Sequence, residues 1–78
     1  MNRISLSQAA SGDRCVVLEV ASEPVEIKSR LYALGIIPGS ALQILRFAPL
    51  GDPMQVKVGG SSISIRKSEA DAITVDLK

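Results

Sequence analysis

Apolar and polar residues alternate along most of this chain, and a period of two is typical of β-strands with one buried face. The pattern predicts five short strands, over residues 15–20, 42–47, 54–58, 62–66 and 73–77. The predicted inner face of the first strand consists of Val16, Leu18 and Val20. In the second strand, Leu42 and Ile44 should face inward, with Leu45 and Phe47 on the opposite face.

One segment has helical periodicity instead. Ile27, Leu31 and Leu34 recur at positions i, i+4 and i+7, which predicts one amphipathic helix inserted after the first strand. Pro24 suits its first turn, and Gly35 suits its end because glycine accepts a positive φ.

The connections between these elements also have recognisable signatures. Pro38 and Gly39 suit the two central positions of a type II turn. Residues 59–60 predict a hairpin turn, and residues 68–72 a short helical turn. Residues 7–10 predict another helical turn, capped by Ser7.

The 78 residues make one domain, 1–78, near the lower limit for a core that is stable without metals or disulfides. Strands this short cannot bury both faces of an open sheet. Closure removes exposed edges and gathers the apolar faces inside. The predicted fold is therefore mostly β: a small SH3-like barrel of about five strands with one inserted α-helix and short helical turns.

Composition excludes several function classes. The chain has no histidine, the most common catalytic base, and its glycines lack the phosphate-loop and dinucleotide spacings, so an enzyme is not expected. Cys15 lies mid-strand without an imidazole, which favours a buried structural thiol. The net charge of +1 and the scarcity of aromatic residues argue against nucleic-acid binding.

The same features predict a cytoplasmic protein. No apolar run approaches the roughly 18 residues of a membrane span, so direct membrane insertion is not expected. No leader opens the chain, and a single cysteine fits a reducing compartment.

The charged residues leave alternatives open. The eight carboxylates are scattered and fit a solvated surface, or at most a weak site for a hard divalent ion. Arg66 either pairs with Glu69 or contacts a partner, and Arg30 and Arg46 carry the same ambiguity.

The segment with the clearest functional signature is Ala48-Pro49-Leu50-Gly51-Asp52-Pro53, called the Leu50 loop below. Two prolines stiffen it, which lowers the entropy lost on meeting a partner. Leu50 either folds back to plug the barrel or projects as an apolar knob for another protein or a second copy of this one. Phe47 either packs under the helix or widens the apolar patch beside Leu50.

The ordered set of these motifs resembles the ferrous iron transport A (FeoA) family of small SH3-like proteins. The matching positions are Leu6, Gly12-Asp13, Arg30-Leu31, Leu34-Gly35, Pro38-Gly39, the Leu50 loop, Val58, Gly60, Ile63, Ile65-Arg66, Glu69-Ala70, Ile73 and Val75.

The resemblance implies an accessory role in bacterial ferrous iron uptake, through contact with the cytosolic part of the membrane transporter FeoB. The residues expected to contact that partner are Leu34, Gly35, Pro38, Gly39, Phe47, Pro49, Leu50, Gly51, Asp52, Pro53 and Arg66. Self-association through the Leu50 loop is a further possibility. No catalytic residue, metal ligand or cofactor is assigned. The alternative is a weak transition-metal sensor, because the same fold forms the C-terminal domain of metal-dependent repressors.

Overall fold

Six antiparallel strands form one sheet in the computed structural model, which describes residues 2–78. The strands are β1 (Asn2–Ser5), β2 (Arg14–Val20), β3 (Ala41–Phe47), β4 (Met54–Val58), β5 (Ser61–Ile65) and β6 (Ile73–Leu77). They lie in the order β1-β6-β2-β3-β4-β5. Helix α1 (Val25–Ala33) follows β2, helix α2 (Lys67–Ala70) follows β5, and a 3₁₀ turn (Leu6–Gln8) follows β1. The predicted mostly β class with one inserted helix is confirmed.

Strand β1 was not among the five predicted strands. Its sequence, Asn-Arg-Ile-Ser, shows too little alternation to predict a strand by itself. It is ordered by pairing with β6, where Asn2 lies opposite Leu77 and Ser5 opposite Thr74. The strand therefore depends on a partner between 69 and 75 residues away in the sequence, which local patterns do not reveal.

The core is built from aliphatic side chains of five strands and both helices. Strands β2 to β6 turn one face toward it, and Leu31 of α1 is fully buried among them. Ile27 packs against the core and Leu34 is half-buried, so the predicted helix face is confirmed. No helix within residues 2–78 is long and apolar enough to cross a membrane.

Two register shifts change which side chains face inward. The pairing of β2 with β6 shifts between Val17 and Glu19, which adds one residue to β2 as in a β-bulge. Cys15, Val17 and Val20 are consequently buried. The predicted inner face of β2 was wrong for Val16 and Leu18, which are only half-buried.

The second shift lies in β3, between Ile44 and Arg46. The extra residue is Leu45, which is exposed, and the strand then resumes with Phe47 opposite the buried Met54. Phe47 packs against the core and not on the opposite face, so its predicted orientation was wrong. A strict period of two fails beyond a bulge because each inserted residue reverses the faces.

Helix α1 ends as predicted at Gly35, which has φ +91°. The Gly35 amide donates to the Tyr32 carbonyl at 3.0 Å and the Ile36 amide donates to the Leu31 carbonyl at 2.9 Å, the pair of bonds of a Schellman motif.

The predicted turn centred on Pro38-Gly39 is also present. The Ser40 amide donates to the Ile37 carbonyl at 2.9 Å, and Gly39 has φ +94°. The turn is fixed against the middle of β2 by two bonds to Val17, one from the Gly39 amide at 2.8 Å and one to the Ser40 carbonyl at 2.9 Å.

The short turns differ in detail from the prediction. The first turn spans Leu6–Gln8 and its cap residue is Ser5, so Ser7 is not the cap. The Ser7 hydroxyl instead donates to the Asp71 carboxylate. The second turn begins one residue earlier than predicted, at Lys67.

Candidate functional site

The Leu50 loop joins β3 to β4 and is closed by its own backbone. The Ala48 amide donates to the Pro53 carbonyl at 2.9 Å, and the Gly51 amide donates to the Ala48 carbonyl at 2.7 Å. Gly51 has φ +89°, a conformation that disfavours any residue with a Cβ. The loop is therefore a tight, internally bonded turn.

Leu50 lies at the tip of this loop and is 97% exposed. It does not fold back to plug the sheet, so that alternative is excluded. Other large apolar side chains are exposed to a lesser extent, Val25 by 63% and Leu45 by 38%. The loop thus presents one almost fully hydrated leucine, whose burial against a partner would be favourable.

The Leu50 loop is also tied to helix α2. Asp52 Oδ1 accepts a hydrogen bond from the Lys67 amide at 2.9 Å. This amide is the first of α2 and has no partner inside the helix. A carboxylate at a helix N-terminus also interacts favourably with the backbone dipoles there. Asp52 therefore fixes the loop to α2 while satisfying an otherwise orphaned donor.

Helix α2 is connected in turn to α1 by an ion pair. Glu69 is buried, and its Oε2 accepts from Arg30 Nη1 at 2.6 Å. Its other carboxylate oxygen accepts from the Arg66 amide at 3.0 Å. The expected pairing of the Arg66 side chain with Glu69 was therefore wrong: Arg30 takes that place, and the Arg66 side chain stays exposed.

Three cavities surround the Leu50 loop. The first, of about 300 Å³, is lined by Ser7, Phe47, Leu50, Gly51, Asp52, Met54 and Lys67. The second, of about 410 Å³, is lined by Arg46, Phe47, Ala48, Pro49, Pro53 and Gln55. The third, of about 480 Å³, is lined by Arg30, Asp52, Pro53, Ser64 and Arg66. The Leu50 loop therefore projects from a surface that has cavities beside it.

The residues predicted for partner contact fall into two groups. The structure brings Phe47, Arg66 and residues 49–53 together around the three cavities. The second group, Leu34, Gly35, Pro38 and Gly39, lies at the end of α1 and in the following turn and does not line these cavities. Its clearest role is structural, because it ends the helix and fixes the chain against β2.

Lys67 and Ser7 line the first cavity but were not predicted as site residues. Lys67 is adjacent to the predicted Arg66, yet its position beside the loop follows from the Asp52 hydrogen bond. Ser7 lies 40 residues or more from the loop in sequence. Neither residue type carried a sequence signal that could have assigned it to the site.

Cys15 is buried, with 1% of its surface exposed. Burial, with a smaller contribution from the charge of Asp13, raises the pKa of its thiol to about 11. Because the thiolate is the reactive and metal-binding form, this cysteine is inert near neutral pH. Its predicted structural role fits this position.

The donor set does not fit a resident transition metal. Within residues 2–78, no group of three or more His, Cys, Asp or Glu side chains is arranged to hold a metal ion. Carboxylates without His or thiolate ligands favour hard ions, and those near the loop are already engaged: Asp52 by Lys67, and Glu69 by Arg30.

A protein-family model for the FeoA domain matches residues 4–77. The chain belongs to the FeoA family. This confirms the resemblance found in the motifs.

Solved structures of FeoA proteins are similar to this chain in both sequence and fold. The FeoA protein from Chlorobium tepidum is 44% identical, with a TM-score of 0.84 over 95% of this chain and 70% of that one. The crystal structure of Stenotrophomonas maltophilia FeoA complexed with zinc, described as an SH3 domain protein, is 30% identical, with a TM-score of 0.82 over 94% of this chain and 89% of that one.

A longer relative carries FeoA joined to a transporter. The Fe(2+) transport protein A/Fe(2+) transporter FeoB fusion protein of Porphyromonas gingivalis is 29% identical over 72 residues. The match covers 92% of this chain but only 8% of that protein. A manganese-dependent transcriptional repressor, at 19% identity and a TM-score of 0.91, shares the fold alone.

Proposed function

We propose that this FeoA-family chain is a cytoplasmic accessory protein of ferrous iron uptake that acts by contact with the cytosolic region of the transporter FeoB. The observation that carries the proposal is the 97% exposed Leu50 at the tip of an internally bonded loop. The fusion of the two proteins in a relative supports FeoB as the partner, because joined chains act at high effective concentration.

The physics of the loop favours recognition. An apolar side chain at a tip becomes a strong anchor when a partner encloses it and excludes water. Ordering a flexible loop on binding would cost free energy, but this one is already fixed by its backbone bonds and by Asp52. Most of the free energy of burying Leu50 is therefore available for binding.

The proposal does not require chemistry from this chain. Its one thiol is buried and protonated at neutral pH, and it has no imidazole to act as a base. We propose a non-enzymatic role, in which the output is the contact itself.

A matched pair of aspartate substitutions tests the proposal. Leu50→Asp places a charge at the knob, and Val25→Asp places one at an exposed apolar residue on α1. The free energy of unfolding of both variants should stay within about 0.5 kcal/mol of the wild-type value, since neither side chain is buried.

The readout is the affinity for the purified cytosolic region of FeoB, measured by biolayer interferometry. Leu50→Asp should weaken binding by about 2 kcal/mol or more, roughly thirtyfold, as at a hot spot. Val25→Asp should bind like the wild type. Wild-type affinity of Leu50→Asp would remove the loop from the interface.

The second group of predicted contact residues, Leu34, Gly35, Pro38 and Gly39, stays a prediction. Pro38 and Gly39 are exposed and accessible to a partner. Pro38→Ala, which leaves Gly39 to form the turn, is the mildest probe of a contact there.

Metal sensing is a second candidate function, favoured by the zinc complex of the Stenotrophomonas maltophilia relative. In that case, Fe(II) would bind the chain and change its affinity for a partner. Anaerobic titration calorimetry with Fe(II) and Zn(II) separates the two proposals. If the chain acts by protein contact alone, titration of the isolated chain with either metal should give no saturable binding heat. If it senses metal, the titration should saturate at a fixed ratio of metal to chain.

A further inference from the structure

We infer that the Leu50 loop docks into an apolar recess of its protein partner that is bordered by carboxylates. The inference rests on the proposed function and adds the chemistry of the partner surface. It follows from the charges placed around the loop.

Every cavity beside the loop has a cationic side chain on its wall. Lys67 lines the first cavity, Arg46 the second, and Arg30 and Arg66 the third. All four side chains are exposed. The loop is thus flanked by four cations, of which Lys67 shares a cavity with Leu50 itself. The chain as a whole is nearly neutral, with nine basic and eight acidic residues.

Three of these cations are not neutralised locally. Among residues 2–78, Arg46, Arg66 and Lys67 take part in no salt bridge. Arg46 instead donates from Nε to the neutral Gln55 side chain at 2.9 Å, which holds its guanidinium beside the loop. The three residues are called the basic rim below.

The one carboxylate among the residues lining these three cavities is Asp52, which is exposed, so the cations outnumber it and the surface keeps a net positive charge. Asp52 accepts from the Lys67 amide, Glu69 is buried beneath Arg30, and Asp71 accepts from Ser7. Arg30 is itself paired with Glu69 and therefore contributes less than the basic rim. A partner that meets this surface encounters a leucine flanked by positive charge, which complementary carboxylates would match.

A second copy of this chain fits the surface less well. A symmetric dimer through the loop would bring two basic rims together, and like charges opposed across an interface disfavour association. Self-association through Leu50 would therefore have to overcome that repulsion.

An anionic bilayer also fits less well than a protein. A single exposed leucine offers little area for insertion, whereas membrane-bound elements bury a continuous apolar face. The cavities of about 300 and 410 Å³ beside the loop are matched by a partner surface of fixed shape. A folded protein has such a surface and a fluid bilayer does not.

Two triple variants with the same change in net charge test the inference. The rim variant carries Arg46→Gln, Arg66→Gln and Lys67→Gln. The control variant carries Arg14→Gln, Lys57→Gln and Lys78→Gln, at three exposed cations that line a separate shallow cavity over β2, β3 and β4. Glutamine is polar and uncharged, and the Asp52 bond to the Lys67 backbone is retained.

The association rate with the FeoB cytosolic region is measured for both variants at low and high salt. The rim variant should associate about tenfold more slowly at low salt and lose most of its salt dependence, because fixed charges steer encounter. The control variant should keep the wild-type rate and salt dependence. Wild-type kinetics of the rim variant, or equal slowing of both variants, would overturn the inference.

Further arms separate this inference from its alternatives. If Leu50→Asp abolishes binding while the rim variant binds normally, the basic rim is irrelevant and the proposed function stands. If Leu50→Asp also binds normally, the Leu50 loop is not the contact and this inference fails. A wild-type chain that does not bind the FeoB cytosolic region would overturn the proposed function itself. Co-sedimentation of the wild type with phosphatidylglycerol vesicles that the rim variant loses would assign the surface to a membrane. A dimer that Leu50→Asp dissociates in sedimentation equilibrium would assign it to a second copy.

Discussion

Substitution of Glu69 is the most informative test of how the candidate site is held together. The Glu69 residue is 7% exposed, and its carboxylate accepts two hydrogen bonds, one from Arg30 on α1 and one from the backbone of Arg66. Glu69→Ala removes both bonds. Glu69→Gln keeps an oxygen that can accept from the Arg66 amide but removes the negative charge that pairs with Arg30.

The magnitude follows from the surroundings of each partner. A hydrogen bond to a charged group contributes about 1.5–3 kcal/mol, and a buried donor left unpaired costs about 1–3 kcal/mol. The Arg30 side chain is 48% exposed, so water can solvate it after the pair is broken and the loss is smaller than for a fully buried pair. We expect Glu69→Ala to lower the free energy of unfolding by about 2 kcal/mol and Glu69→Gln by about 1 kcal/mol.

Urea unfolding followed by circular dichroism measures these changes. With a slope of about 1 kcal/mol per molar for a small domain, Glu69→Ala should lower the midpoint by about 2 M. A double-mutant cycle with Arg30→Met should give a coupling energy of about 1 kcal/mol between the two side chains. Additive effects of the two single substitutions, or a change below about 0.5 kcal/mol in Glu69→Ala, would refute the role assigned to this pair.

Two further predictions concern the core. Cys15 has a raised thiol pKa in the folded chain, so the unfolded chain loses this proton first as the pH rises above about 9 and the folded state is progressively destabilised toward pH 11. The free energy of unfolding, measured with urea, should fall by about 3 kcal/mol between pH 9 and pH 11 because of Cys15. A Cys15→Ala variant should lack this part of the pH dependence. Phe47→Ala should destabilise the chain by about 2–3 kcal/mol because Phe47 packs on the core, whereas Leu45→Ala on the same strand should cost under about 1 kcal/mol; equal losses would contradict the shifted register of β3.

The fold was predictable where local patterns decide it. The strands near Val56 and Val75 kept a strict alternation, and both residues are fully buried. The end of α1 at Gly35 and the turn at Gly39 followed from backbone sterics alone. The sequence was misleading at Val16 and Phe47, because each lies two residues from an inserted residue that only the pairing of two strands reveals.

The candidate site was likewise predictable only where local sequence patterns decide its structure. Exposure of Leu50 was one of two open alternatives, since a tip leucine between prolines can turn inward or outward with equal local geometry. For Arg66 the sequence left two alternatives, a salt bridge to Glu69 or contact with a partner, but the structure pairs Glu69 with Arg30, 39 residues away. Long-range side-chain pairs depend on how elements pack, and that information is not local.

The small helix α2 explains why these distant residues belong to one surface. Four residues are too few for a helix to be stable alone, so its position depends on the groups that satisfy its free amides. Those groups are Asp52 from the Leu50 loop and Glu69 from the helix itself, and Glu69 also holds Arg30 of α1. The loop, α2 and α1 are therefore connected by a continuous set of hydrogen bonds. An exposed leucine contributes fully to binding only if its backbone is ordered beforehand, and in this chain that order is maintained by polar contacts lying behind the knob.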